Sequence, residues 1–157
     1  MKPPALDSID LKILDALQRD ASVKLKKLAG NCHISEATCS RRVAALKKHG
    51  FIQKQVAVLS RARLGLNLTV FVLVSMEHEQ SAVLKRFEDK LKKAPMVVGI
   101  SFISGQYDYL LQLAARDMEA YSAFAEEYLT DEPCVKKFTS LFEMKSLLSH
   151  QVLPLQA

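Results

Sequence analysis

Between Ser35 and Lys48, an apolar stripe of Cys39, Val43 and Leu46 leaves a polar face outside it. That face carries Ser35, Glu36, Thr38, Ser40, Arg41 and Arg42, then Lys47 and Lys48 beyond the Ala44-Ala45 pair. Hydroxyls, a carboxylate and guanidinium forks on one rigid helix are the groups that base edges, phosphates and sugar oxygens require. An arginine can take the O6 and N7 of a guanine, while lysines suit phosphates. Lys24 and Lys27, with Lys26 between, open the preceding helical segment and are placed for phosphate contacts. A small helical core with a charged outer face would produce the same pattern, so the chemistry needs support from the elements around it.

Those elements are readable. Asp7 or Ser8 starts a helix to about Arg19, with Ile9, Ile13, Leu14 and Leu17 on one stripe. Asp20-Ala21-Ser22 is a turn, and a short helix from Leu25 is weakened at Gly30-Asn31. Ser35 caps a third helix that Gly50 stops, with Lys47, Lys48 and His49 in its last turn. Phe51 to Leu59 reads as a strand, completing a winged helix-turn-helix over residues 1–60, and 61–67 as a linker.

The remainder, 68–157, alternates periods. Strands are expected at Leu68–Glu77, Val97–Ser104, Tyr107–Ala115 and Val135–Leu147, with helices at Ser81–Lys93 and after Asp117. This is the βαββαβ order of a ferredoxin-like α+β domain, with a hairpin turn at Gly105-Gln106. In a strand, Tyr107 and Tyr109 would share a face.

Charge separates the two halves. Residues 1–60 hold 11 Lys and Arg against 5 Asp and Glu, whereas residues 61–157 hold 11 against 12. All of the net +5 therefore lies in the helical half, where a polyanion is the natural partner and a merely solvated basic surface the alternative. No stretch approaches the roughly 20 apolar residues of a membrane span. Met1 to Ile9 does not fit a signal peptide, and 3 cysteines without framework spacing fit free thiols in a reducing cytoplasm.

The string Ile9 to Asp20, then Leu28-Ala29, Ile34-Ser35 through Thr38-Cys39 to Arg42-Val43 and Leu46, then His49-Gly50-Phe51-Ile52, resembles the Lrp/AsnC family (leucine-responsive and asparagine regulators). Ser104 to Leu111, Asp117-Met118, Tyr121 and the terminal Leu153-Pro154-Leu155 agree with it, so the resemblance spans about Asp7 to Leu155. It departs from many members at Glu36-Ala37-Thr38, where prolines are common, and at Gly30 and His33 in the turn.

The resemblance implies a sequence-specific transcriptional regulator that binds double-stranded DNA at promoter half-sites. It also implies homodimers that assemble further, usually to octamers, and a small effector, often an amino acid, bound where dimers meet. At matching positions the effector residues are Phe102, Ser104, Gly105, Gln106, Tyr107, Asp108, Met118 and Leu141. The residue types suit a zwitterion: Gly105 permits positive φ and exposed N–H groups, and Asp108 offers a carboxylate to an ammonium. A hairpin whose Asp108 only bonds local backbone is the alternative.

No cofactor, catalytic site or metal site is expected. Cys32, His33 and Cys39 lack a fourth ligand at standard spacing, and Cys39 sits on a packing stripe. The similar sirohaem decarboxylases use basic residues, including histidine, around a tetrapyrrole; here the only histidines of the second half are His78 and His150, and the Gly105 to Asp108 acidic loop is of the regulator type. An architectural DNA-compacting protein is a third class, with weak sequence preference and the same salt dependence.

Overall fold

The computed structural model describes residues 4–77, 81–147 and 152–155. The described residues form two compact units, one running up to Val58 and including 152–155, the other Leu59–Leu147. His78 and His150 lie outside the described residues.

The first unit is built from α1 (Ser8–Arg19), α2 (Leu25–Asn31) and α3 (Glu36–Lys48). Asp7 caps α1 by accepting from the Ile9 and Asp10 N–H groups at 2.9 and 2.8 Å, and Asp10 accepts from the Asp7 N–H in return. This reciprocal box satisfies donors that a helix start leaves open. Ser35 does the same for α3 by accepting from the Thr38 N–H. Between α2 and α3 the chain reverses through His33 at φ 54, a left-handed conformation that a non-glycine residue adopts at some cost. The turn is closed by Ile34 N–H donating to the Ala29 carbonyl at 3.1 Å. Ile13, Leu28, Ala29, Cys32, Cys39 and Leu46 form the buried centre. At its end α3 is terminated by Gly50 at φ 78.

The wing is a correction. Phe51 and Ile52 form a bend, and 53–60 has no regular structure. Val56, Val58 and Leu59 are 64, 73 and 68 % exposed. The apolar run has strand propensity but no neighbouring edge to pair with among the described residues, and an unpaired strand is not stable alone. Part of the linker closes into a short 3-10 turn, Ala62–Leu64, ended by Gly65 at φ 73.

In the second unit β1 (Leu68–Met76), α4 (Ser81–Lys93), β2 (Val97–Phe102), β3 (Tyr109–Ala115), α5 (Met118–Ala125) and β4 (Val135–Phe142) follow in order. The strands lie β2-β3-β1-β4, all pairs antiparallel, which is the ferredoxin-like arrangement. Alternation sends Val70, Val72, Val74, Tyr109, Leu111 and Leu113 to one face, where they are buried with Phe87 and Leu91 of α4 and Tyr121 and Phe124 of α5. The other face carries Phe71 and Leu73 beside Leu110 and Leu141, without a covering helix among the described residues. Asp117 caps α5 by accepting from the Ala120 N–H, and α5 continues as a wider π turn over Glu126–Thr130.

Two further expectations change. The last strand ends at Phe142 rather than Leu147, and Met144 and Leu147 are exposed. The turn between β2 and β3 is a loop over 103–108, closed by the Ile103 N–H donating to the Asp108 carbonyl rather than by a two-residue turn at Gly105-Gln106. Residues 152–155 pack with the first unit. There the Leu153 N–H donates to Gln18 Oε1 at 2.9 Å and the Leu153 carbonyl accepts from Gln18 Nε2 at 3.1 Å.

Candidate nucleic-acid interface and effector loop

Burial of Cys39 and Leu46 fixes the rotation of α3 and turns Ser35, Glu36, Ser40, Arg41, Lys47 and Lys48 outward, all exposed. Thr38 is half-buried and accepts from the Ser35 hydroxyl at 2.9 Å, so it belongs to the cap of the helix as much as to its face. Lys24 is the N-cap residue of α2 and is exposed with Lys26 and Lys27. Among the described residues, Arg41, Lys48, Lys24 and Lys27 stand in no ion pair. Lys47 only touches Gln55 Oε1 at 3.2 Å. The outward face of α3 is thus a set of free cations and hydroxyls on a capped helix.

Arg42 does not join this face. Its Nη1 donates to Asp7 Oδ2 at 2.7 Å and to Asp10 Oδ1 at 2.8 Å, and its Nε is buried without a partner. A residue four positions before Leu46 sits at the margin of the buried stripe, where the carboxylates of the α1 cap capture it. Arg42 therefore ties α3 to the start of α1. The Asp10 N–H first, and the Arg42 guanidinium next, hold the Asp7 carboxyl below its ordinary value. The stabilisation by this carboxylate is present above the unfolded-state value of about 4 and is lost as pH falls through the lower folded value. Wild type is accordingly expected to lose thermal midpoint in its first unit more steeply than Asp7→Asn between about pH 4 and pH 2, as followed by circular dichroism.

The second group centres on the 103–108 loop. Asp108 Oδ2 accepts from the Met76 N–H at 2.8 Å, the Asp108 N–H donates to the Val74 carbonyl, and Ser75 Oγ donates to the Gln106 carbonyl. These bonds clamp the loop to the end of β1, where the pairing with β4 shifts register. Gly105 stands at φ 133, a region closed to side chains. No N–H group from Ser104 to Tyr107 has an acceptor among the described residues. Successive N–H groups without a protein acceptor are the donors an anion needs where they converge.

Tyr107 and Tyr109 lie on opposite faces, because Tyr107 is in the loop rather than a strand. Tyr107 shares a hydrogen bond with Thr139 on the open face, whereas Tyr109 is 1 % exposed in the core. The Tyr109 hydroxyl donates to Glu88 Oε1 at 3.0 Å, and burial, then this carboxylate, pushes its pKa up to about 12. Phe102 stands at the rim, 69 % exposed, edge-on to Tyr109.

Within one chain, Met118 and Leu141 are not brought to this loop. Met118 follows the far end of β3, about 20 Å from the loop at roughly 3.3 Å per strand residue. Leu141 pairs with Phe71 well along the sheet. Both are exposed, at 51 and 48 %.

The clamp carries a prediction. Asp108→Ala strands the half-buried Met76 N–H and is expected to destabilise the second unit by about 1–3 kcal/mol in urea unfolding. Asp108→Asn keeps an acceptor and is expected to lose less than half as much.

Burial pushes the Cys32 and Cys39 thiols up, and Cys134 to about 11, so all three favour the neutral form. Among the described residues no cluster of His, Cys, Asp or Glu is placed to hold a metal ion, and no helix is long and apolar enough to cross a membrane.

A helix-turn-helix with a free cationic reading helix, joined to a ferredoxin-like domain, defines a two-domain transcriptional regulator. The AsnC-type helix-turn-helix domain model matches residues 6–47, and the Lrp/AsnC ligand binding domain model matches residues 69–153. The chain belongs to the Lrp/AsnC family of transcriptional regulators. It is 37 % identical over 150 residues to the Bkd operon transcriptional regulator of Pseudomonas aeruginosa, covering 96 % of this chain and 98 % of that one. The DNA-binding transcriptional activator DecR of Escherichia coli K12 is 32 % identical over 151 residues, covering 96 and 99 %. A Neisseria meningitidis transcriptional regulator, solved as its L-Met complex, superposes with a TM-score of 0.91 at 30 % identity, over 96 % of this chain and 97 % of that one.

Proposed function

We propose that this regulator binds promoter half-sites as a homodimer or larger ring, with Ser35, Glu36, Thr38, Ser40 and Arg41 at base edges. Lys24, Lys27, Lys47 and Lys48 then take phosphates, and an amino acid bound at the 103–108 loop changes assembly or DNA geometry. The observation that carries the DNA half is the free cationic face of α3. The free N–H groups from Ser104 to Tyr107 support the effector half, since they suit an α-carboxylate.

The sheet face bearing Phe71, Leu73, Leu110 and Leu141 is the surface through which copies would meet, as burying it removes apolar area from water. Met118 and Leu141 lie far from the loop of their own chain, so they would complete the effector site on a neighbouring copy's loop. Octamers of this kind are the assembly the family resemblance implies. With Phe102, their apolar side chains favour an apolar amino acid, and the L-Met complex of the Neisseria relative makes methionine the first to test. The reading gives the chain no catalytic step and places it with DNA in the cytoplasm.

Selection of bound genomic fragments, repeated with a panel of amino acids, tests both halves. Enrichment of a few promoter fragments, and a changed shift or sedimentation with one amino acid, is expected. Uniform recovery of the genome would contradict the regulator reading, in favour of architectural binding. A panel without any response would remove the effector half alone.

A further inference from the structure

Helix α1 has a second occupied face. Its core stripe is Ile9, Ile13, Leu14 and Leu17, yet Leu11, Asp15 and Gln18, one turn apart on another side, are half-buried as well. The residues that cover them are the last ones described. Gln18 presents its side-chain amide as a paired donor and acceptor to the Leu153 backbone, the two bonds by which a strand edge reads its neighbour. Asp15 Oδ1 accepts from Gln18 Nε2 at 3.1 Å and holds that amide in orientation. Two residues on, Leu155 is half-buried and lines a cleft with Leu11, Lys12, Asp15, Ala16 and Cys32. Pro154 stiffens the extended segment between these anchors, which lowers the entropy lost on docking.

We propose that this outer face of α1 is a docking site for the chain's own extended C-terminal segment, Val152–Leu155, and that the docked segment is a clasp on the DNA-reading unit. The chain passes from the first unit to the second at Val58 and Leu59, and 152–155 returns it to the first after the second ends at Leu147. Each reading unit is therefore held by two connections to the assembly domain. In a dimer the second reader binds its half-site intramolecularly, at an effective concentration set by how tightly it is tethered. The clasp raises that concentration, so it acts on paired half-sites and leaves the contacts of a single reader unchanged. This role rests on the DNA-reading function proposed above, whereas the docking itself does not.

Amide hydrogen exchange of full-length protein tests the docking. The Leu153 amide is expected to exchange at least about ten-fold more slowly than an unstructured amide, and Gln18→Ala or Leu155→Asp to remove that protection. An unprotected Leu153 amide, or equal protection in both variants, would overturn the docking site. The same variants are then titrated with DNA carrying one or two copies of a selected half-site. Binding to paired half-sites is expected to weaken by about five-fold while single half-site binding holds. Equal effects on both fragments, or none on either, would overturn the clasp. Leu155 is on the surface of the unit, so neither variant removes a core side chain, and unchanged circular dichroism confirms that each variant folds.

Discussion

Arg41→Ala is expected to bind a two-half-site operator roughly a hundred-fold more weakly than wild type, since each bidentate base contact is worth about 1–3 kcal/mol and is lost once per half-site. Arg41 is exposed, in no ion pair among the described residues, and sits about one and a half turns from the capped start of α3. The thermal midpoint of the first unit should therefore not move. Arg42→Ala is the contrast. It breaks the two contacts to Asp7 and Asp10, so the midpoint falls and DNA binding weakens through a loosened α3. Electrophoretic shifts and thermal unfolding on both variants separate the two roles. Unchanged operator affinity in Arg41→Ala would remove that residue from the interface.

Phe87→Ala is expected to cost the second unit about 3–5 kcal/mol, a large part of the stability a domain has. Phe87 is 1 % exposed and meets Tyr109 edge-on at 5.7 Å, joining α4 to the sheet. Its loss leaves a cavity beside the Tyr109 ring. Urea unfolding should show the second unit melting early while the first, with its own core around Ile13 and Cys39, keeps its transition. Light scattering should show smaller assemblies. A single unshifted transition would contradict the division of the chain into two separately packed cores.

The helices and the sheet were legible because their signals are local. Asp7, Ser35 and Asp117 announce their caps, and the alternation of Val70, Val72 and Val74 states a strand with one buried face. What misled were features decided by partners distant in sequence. Phe51–Leu59 has the composition of a strand, but a strand also needs an edge to pair with. Arg42 and Arg41 are equal as residue types, and only the Asp7–Asp10 cap across the unit separates them. The loop at 103–108 is clamped where Asp108 bonds back to β1, which dipeptide signals at Gly105-Gln106 cannot report. The half-burial of Leu11 and Gln18 had a faint trace, an apolar residue off the main stripe of α1, whose cover comes from the other end of the chain.

The most direct test of the account is the salt dependence of binding to a selected promoter fragment and to a scrambled fragment of equal length. The account predicts a steep linear fall of log affinity with log salt for both, as phosphate contacts by the lysines release counterions. It also predicts a preference for the promoter of at least about a thousand-fold near physiological salt, which Arg41→Ala reduces. Equal affinity for the two fragments at every salt concentration would contradict it.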